Sequence, residues 1–351
     1  MAIDWTRGME QEFLYYRVDP ATWTDAERIE GVVRCSVDRD LSTDVLESAE
    51  LEIDSFDGGE CWIRCYADFA QDGERYRSAV GTWLAQTPRR RLDGKTDTTE
   101  VRCYGSLHPL KEALCAAYAA PKGTDAVAEC ARLLRAHGVA PVEAPESGAK
   151  LSEHYVAPFG TPWLDVCRAL AEAGGCELGV DGYGRVYVQP ARTPLSRSVS
   201  WTFRDGQASV VSPGMTSERD WYGLPNVCIV KAGRFVGRAE NTSPYSPIST
   251  TSRGREVVLA VEDPDELKSG ASQAAADAVA RKLLAEASTV ERKVTFSHGY
   301  VPVALGDRVR LEVEGFAADV RVSSQRLELG TGAAVEAEGT WTDDLYERGD
   351  A

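Results

Sequence analysis

Cys61 and Cys65, four positions apart, are the best-spaced pair of thiolate metal ligands in the chain. A closed zinc site takes four ligands, and no second pair follows nearby at ligand spacing. The segment also reads as a strand with Cys61, Ile63 and Cys65 on one face, so a core role is expected. The nine cysteines (Cys35, Cys61, Cys65, Cys103, Cys115, Cys130, Cys167, Cys176 and Cys228) are odd in number and scattered. A chain of 351 residues needs no disulfide staples. All nine read as reduced, small, buried hydrophobes.

Acid–base and nucleophilic chemistry have little to draw on. The four histidines are His108 before Pro109, His137 at a helix C-terminus, and His154 and His298, which lack a Cys or His at ligand spacing. There is no P-loop, H-E-x-x-H, G-x-S-x-G elbow or calcium-loop spacing. The glycines Gly179, Gly182 and Gly184 imitate a phosphate loop, but they lie in a turn between two strands rather than between a strand and a helix. Carboxylates are too numerous for any pair to stand out as a glycosidase site. No catalytic, cofactor-binding or metal-binding residue is assigned, and the chain is not expected to be an enzyme or to need a cofactor.

Two stretches offer contacts to partners instead. Arg89, Arg90 and Arg91, after Pro88, form the sharpest positive cluster on an acidic chain. They read as a docking loop for an acidic neighbour or as a solvated turn. The polar stretch 241–255 reads as an ordered interface loop or a mobile connection. Its hydrophobic anchors are Tyr245 and Ile248, and Arg253 and Arg255 close it. These seven residues are the candidate partner contacts.

The elements that position them begin with a β meander. Residues 32–37 and 49–54 alternate apolar and polar side chains, 60–69 and 74–86 continue the pattern around Asp72-Gly73, and the loop 91–94 leads into 98–104. Short strands at such spacing point to a small barrel or sandwich. At Gly105 the pattern changes. Leu107, Leu110, Leu114, Ala117 and Tyr118 fall at helical spacing before Pro121. A second helix is capped by Thr124 and ended by Gly138, and a third has Thr161 as N-cap and Pro162 at its first position. A β-hairpin turns at residues 181–184. Residues 105–190 thus read as an α+β insertion. Strand character returns at 199–203 and 226–231, an alanine-rich helix covers 272–287, and a meander runs from 293 to 341.

Composition bounds the rest. Hydrophobic residues make up 43% and charged residues 27%, a globular balance with length for two or three domains. Fifty-five acidic and 39 basic side chains leave a net charge of −16. Phosphate binding needs a Lys/Arg surplus, which argues against free nucleic acid or an anionic membrane as an affinity partner. A channel through which DNA slides without sticking remains compatible. No apolar run approaches the roughly 20 residues of a membrane span, and the N-terminus lacks the pattern of a secretory signal.

The order of segments resembles the tail-hub (minor tail or baseplate hub) proteins of tailed bacteriophages, siphophage type. The resemblance rests on residues 62–66 with 101–105, and on 159–164 continuing through Gly174-Gly175 and the Asp-Gly hairpin to 186–190. It rests most specifically on Asn226 to Val230, Ala239 to Asn241, Ser246 to Ser249, Gly254-Arg255, the helix through Leu283-Leu284, and Val294 to Val309.

The resemblance implies a mainly β (α+β) chain with two tail-tube-like β-barrels and an α+β insertion between them. The first barrel would take 1–104 with a return segment 191–225, and the insertion 105–190. The second barrel would take 226–341 with its flanking helix 272–287, followed by a C-terminal tail 342–351. It implies a homotrimeric ring that continues the tail tube in the virion, made in the host cytoplasm. The partners implied are the distal tail protein, the tape-measure protein and tail fibre or receptor-binding proteins, with DNA crossing the lumen unbound. Ring closure would pair strand edges that a lone domain leaves open. The ten residues after Trp341 leave no room for a lysozyme, peptidase or fibre-bearing extension, and any opening would hinge near Gly105 and Pro190. The competing readings are the hub of a gene-transfer agent or contractile injection device, a β-rich cell-wall hydrolase, and a carbohydrate-binding adhesin.

Overall fold

A computed structural model describes residues 3–56, 58–94, 96–191, 197–219, 221–267, 272–330 and 332–345. The chain forms two compact units, Met1–Gly214 with Phe296–Glu338, and Met215–Thr295 with Gly339–Ala351.

The first unit opens with seven strands: β1 (Glu10–Val18), β2 (Asp25–Ile29), β3 (Val32–Asp40), β4 (Glu47–Asp54), β5 (Cys61–Gln71), β6 (Glu74–Asp93) and β7 (Thr96–Tyr104). They pair antiparallel in the order β3-β4-β7-β6-β5-β1-β2. β4 shows why the register holds. Ala49, Leu51 and Ile53 are buried while Glu50 and Asp54 face solvent, and a one-residue slip would exchange the two sets. Each large apolar side chain so exposed costs about 1.5–3 kcal/mol. Asp72 and Gly73 both take positive φ in the β5–β6 turn, which matches the twist of the strands.

Within residues 105–190, helices and short strands enclose a buried apolar cluster that runs from Leu107 to Val188, with Trp23 and Leu46 packed against it. The elements are β8 (Tyr118–Ala120), α1 (Ala126–His137), β9 (Val142–Glu143), β10 (Tyr155–Ala157), α2 (Trp163–Ala173), β11 (Cys176–Val180) and β12 (Val186–Pro190). The helix expected at 107–118 does not form. Only His108–Lys111 makes a 3-10 turn, because the chain beyond it pairs outward, Leu114 N–H donating to the Thr161 carbonyl at 2.9 Å. Asp125 rather than Thr124 caps α1, accepting from Ala128 N–H at 2.9 Å. Pro162 stands as N-cap of α2, one place earlier in the helix frame than expected.

The chain continues through β13 (Val199–Arg204) to the second unit, with β14 (Thr216–Arg219), β15 (Val227–Ala232), β16 (Phe235–Glu240), α3 (Thr250–Arg253), β17 (Val258–Glu262) and α4 (Gln273–Ala287). β15 pairs antiparallel with β16 and parallel with β17. α4 packs on this sheet through Ala276 and Ala280. Gly237 makes the approach possible, since a Cβ there would lie 2.2 Å from the Ala276 carbonyl carbon. β18 (Thr289–Gly299), β19 (Arg308–Val313), β20 (Phe316–Leu329) and β21 (Ala334–Asp344) follow.

The pairing of β20 overturns the expected boundary at 226–341. Its second half pairs with β3 and its first half with β19, which carries β13 in parallel. Residues 296–338 therefore belong with the first unit. β6 likewise serves β5 with its first half and β7 with its second. Such partner-switching strands bend a sheet around its core, here Tyr15, Val37, Leu51, Ile63, Trp83 and Leu327. Among the described residues no pairing closes either expected barrel and β2 pairs with β1 alone. Of the expected tail 342–351, residues 346–351 lie outside the described residues, as do 192–196 and 220 of the expected return segment. Leu345 is buried against Ile248 and Val290. Among the described residues no helix is long and apolar enough to cross a membrane.

Candidate interaction surfaces

Arg89, Arg90 and Arg91 lie on β6, not in a loop. Their neighbours on β7 and the hairpin end answer their charge. Arg90 pairs with Asp97 at 2.5 Å, and Arg91 and Arg89 reach Glu100 at 3.1 and 4.0 Å. The bond to Asp97 raises the Arg90 pKa and lowers that of Asp97. The sheet face that Arg89 and Arg91 share extends across β7, β4, β3 and β20. Register places Glu328, Ser36, Glu50 and Arg102 in one row, and Arg34, Glu52, Glu100 and Arg89 in another. Cross-strand pairs join Arg34 to Glu328 at 3.4 Å and Arg102 to Glu50 at 3.3 Å. A depression of about 240 Å³ lies on this face. Exposed pairs of this kind contribute little stability; their effect is to cancel charge over a broad polar face.

In the second unit, residues 241–255 are an ordered loop built on two buried asparagines. Asn226 donates to the carbonyls of Ile248 and Arg255 at 3.0 and 2.9 Å, and its Oδ1 accepts from Val257 N–H at 2.7 Å. Asn241 donates to Ser246 Oγ at 2.9 Å, and Ser246 Oγ donates to the Leu345 carbonyl at 2.5 Å. Ser249 caps α3, and Gly254 ends it with φ 62°.

The four candidates in this loop divide. Ile248 is fully buried, so it anchors the loop from within and cannot meet a partner. Arg253 is committed to the carbonyls of Leu224 and Trp221 at 2.7 and 3.2 Å, and burial lowers its pKa. Tyr245 is 75% exposed and Arg255 is exposed, and these two remain available. Tyr222, 94% exposed, stands on the turn that Arg253 ties down. Asn226, Asn241 and Ser246 carry no local signal of a site beyond falling in segments that carry the resemblance.

A third feature is the joint between the β11–β12 hairpin and the sheet. The Gly182 carbonyl accepts from Thr82 Oγ1 at 3.0 Å, and that of Tyr183 accepts from Trp23 Nε1 at 2.8 Å and Arg64 Nη2 at 3.2 Å. Arg64 is buried and pairs with Asp25 at 2.8 Å. Beside the joint a cavity of about 370 Å³ is lined by Glu47, Glu177, Asp181 and Asp307 against Arg39, Arg197 and Arg321. Burial pushes the Glu47 carboxyl up to about 7, against the opposing pull of Arg39 at 3.6 Å and of the Trp83 indole.

Cys61, Ile63 and Cys65 do share the core face, and the described residues hold no cluster of ligands fit for a metal ion. The thiols are free, but Cys115 is exposed and Cys61 half-buried, which corrects the expectation of nine buried cysteines. Cys115 follows the 3-10 turn where the expected helix is missing.

No protein-family model and no curated protein matches the chain. Solved structures do. A tail protein from Neisseria meningitidis MC58 shares the fold with a TM-score of 0.63 at 16% identity, over 95% of this chain and 98% of that one. The 43 kDa tail protein of prophage MuSo2 from Shewanella oneidensis follows with 0.61 at 12% identity, over 94% and 98%. A chain of the half-lidded Francisella PdpA-VgrG complex superposes with 0.59 at 6% identity, over 97% of this chain and 59% of that one. At these identities the likeness is one of fold.

Proposed function

We propose that the chain is a structural, non-enzymatic hub protein of a phage tail tip. The observation that carries the reading is the likeness over nearly the full length of both chains to tail proteins, one of them from a prophage. The order of sequence segments leads to the same family by a separate route. In this reading the protein is a component of the virion tail. Three copies close a ring that continues the tail tube and meets the distal tail protein, the tape-measure protein and fibre or receptor-binding proteins. The open edge at β2 supports ring closure between copies, because an unpaired edge is satisfied by a neighbour's strand. The charge-cancelled face over β20-β3-β4-β7-β6 supports passage of DNA without capture, since it offers phosphate no cationic surplus.

Light-scattering mass and negative-stain images of the purified chain test the proposal. The expected result is three times the chain mass and a ring with a central hole. A compact monomer that stays so when mixed with its tail-tip neighbour, or measurable turnover of peptidoglycan, would overturn it.

A further inference from the structure

The seam between α1 and α2 holds two thiols that the surfaces above do not use. Cys130 on α1 and Cys167 on α2 are fully buried, and Cys130 Sγ donates to the Cys167 carbonyl oxygen at 3.2 Å. Neither is near its partner in sequence, so helix packing alone brings them together. The apolar neighbours Val127, Leu134, Val166 and Leu170 fix both helices around the pair.

We propose that Cys130 and Cys167 form a redox-modifiable pair that closes to a disulfide when the chain meets a small-molecule disulfide. The Cys130 sulfur lies beside the Cys167 backbone across the seam, so the packing of the two helices already brings the two residues face to face. One thiol gives its proton to solvent and its thiolate attacks the small disulfide, releasing one small thiolate and leaving a mixed disulfide. The second thiolate attacks the protein sulfur of that mixed disulfide and releases the other small thiolate. Two thiol protons end on two small thiols, and the small disulfide takes up both electrons. The reducing cytosol keeps the pair open, whereas an oxidising medium closes it. The neighbouring Cys130 thiol, and after it burial, raise the Cys167 thiol above its ordinary range, so the closed seam reacts slowly and local opening of α1 from α2 sets the rate. Once closed, the bridge ties the two helices of the insertion together and restrains the unfolded chain between them.

The test is to refold the full-length chain in a mixture of reduced and oxidised glutathione, alkylate it, digest it with trypsin and map the linked peptides by mass. The expected product joins the peptide of residues 123–132 to that of 151–168, with a loss of about two mass units and a melting temperature a few degrees above the reduced chain. The bridge forms on the wild-type sequence, so no substitution can confound the result by misfolding. A native fraction with both thiols alkylated, or with Cys130 joined instead to Cys176 or Cys115, would overturn the proposal. So would a cross-link yield unchanged when oxidation is repeated in strong denaturant, since the native seam would then have selected nothing.

Discussion

Gly182 in the β11–β12 turn lies so close to Ala79 of β6 that any Cβ at position 182 would come within 1.9 Å of the Ala79 carbonyl oxygen. The register of β5 with β6 skips Val80, and the turn seats against this bulge. Gly182 is required there by space, not by its backbone angles. Gly182→Ala is therefore expected to lift the hairpin off the sheet and to weaken the bonds that Thr82, Arg64 and Trp23 make to the turn. A cost of roughly 2–4 kcal/mol is expected from overpacking with lost hydrogen bonds. Urea unfolding gives the size, and amide exchange at residues 176–190 gives the place. Unchanged protection of those amides would mean that the turn relaxes without leaving the sheet.

Glu47 contributes a pH dependence of unusual sign for a carboxylate. Its folded pKa of about 7 exceeds the ordinary 4.5, so between those values the folded chain keeps a proton that the unfolded chain has released. Stability thus falls as pH rises from 4.5 to 7 and stays reduced above that. The difference of 7 − 4.5 units corresponds to about 3 kcal/mol at most. Glu47→Gln is expected to unfold at higher urea than wild type at pH 8 and to lose that advantage at pH 4.5. An advantage of equal size at both pH values would show that the carboxyl does not titrate in this window.

His298 works in the opposite direction. It is buried between Phe203 and Phe296, and burial lowers its pKa to about 4 although the Gly299 carbonyl accepts from Nδ1 at 2.6 Å. Between 6.5 and 4 the unfolded chain binds a proton that the folded chain refuses, so stability is full above 6.5 and is lost as pH falls through the window. From 4.5 to 6.5 the Glu47 and His298 slopes oppose each other. In the Glu47→Gln chain the histidine slope stands uncovered, and stability should rise steadily with pH over that range. A flat profile in that variant would count against a buried neutral His298.

Much of the fold was legible because burial on one side of a sheet writes itself into alternation. β3 to β7, the hairpin β11–β12 and the capped helix α2 all carry local signals, and they form close to where those signals stand. Glu47 was within reach of the same reasoning, since extending β4 two residues back puts position 47 on the face of Ala49, Leu51 and Ile53. The union of β20 with β3 was not legible, because nothing in either strand names a partner nearly 300 residues away. The helix expected near Leu114 failed for a related reason: a spacing of leucines fits any buried path, and pairing with Thr161 chose an irregular one.

The candidate contacts were harder to read than the fold. A run of three arginines looks the same whether acids across a hairpin answer it or not, and Asp97 and Glu100 answer it here. Ile248 stands out in sequence as an apolar residue in a polar loop, and apolarity is the property that buries it.

Asn226 offers the sharpest check on that loop. Its side chain makes three bonds to the backbone at Ile248, Arg255 and Val257, and it is fully buried. Asn226→Ala would leave two carbonyls and one N–H unpaired away from water, at about 1–3 kcal/mol for each group that water cannot reach. Amides of residues 241–257 should exchange faster, and an assembly partner that reads Tyr245 or Arg255 should bind less tightly because the loop no longer holds them in place. Tyr245→Ala separates the two effects. An exposed side chain contributes little to folding, so this variant should keep wild-type stability and exchange while partner binding falls. If Asn226→Ala weakens assembly and Tyr245→Ala does not, the loop supports its surroundings without touching the partner.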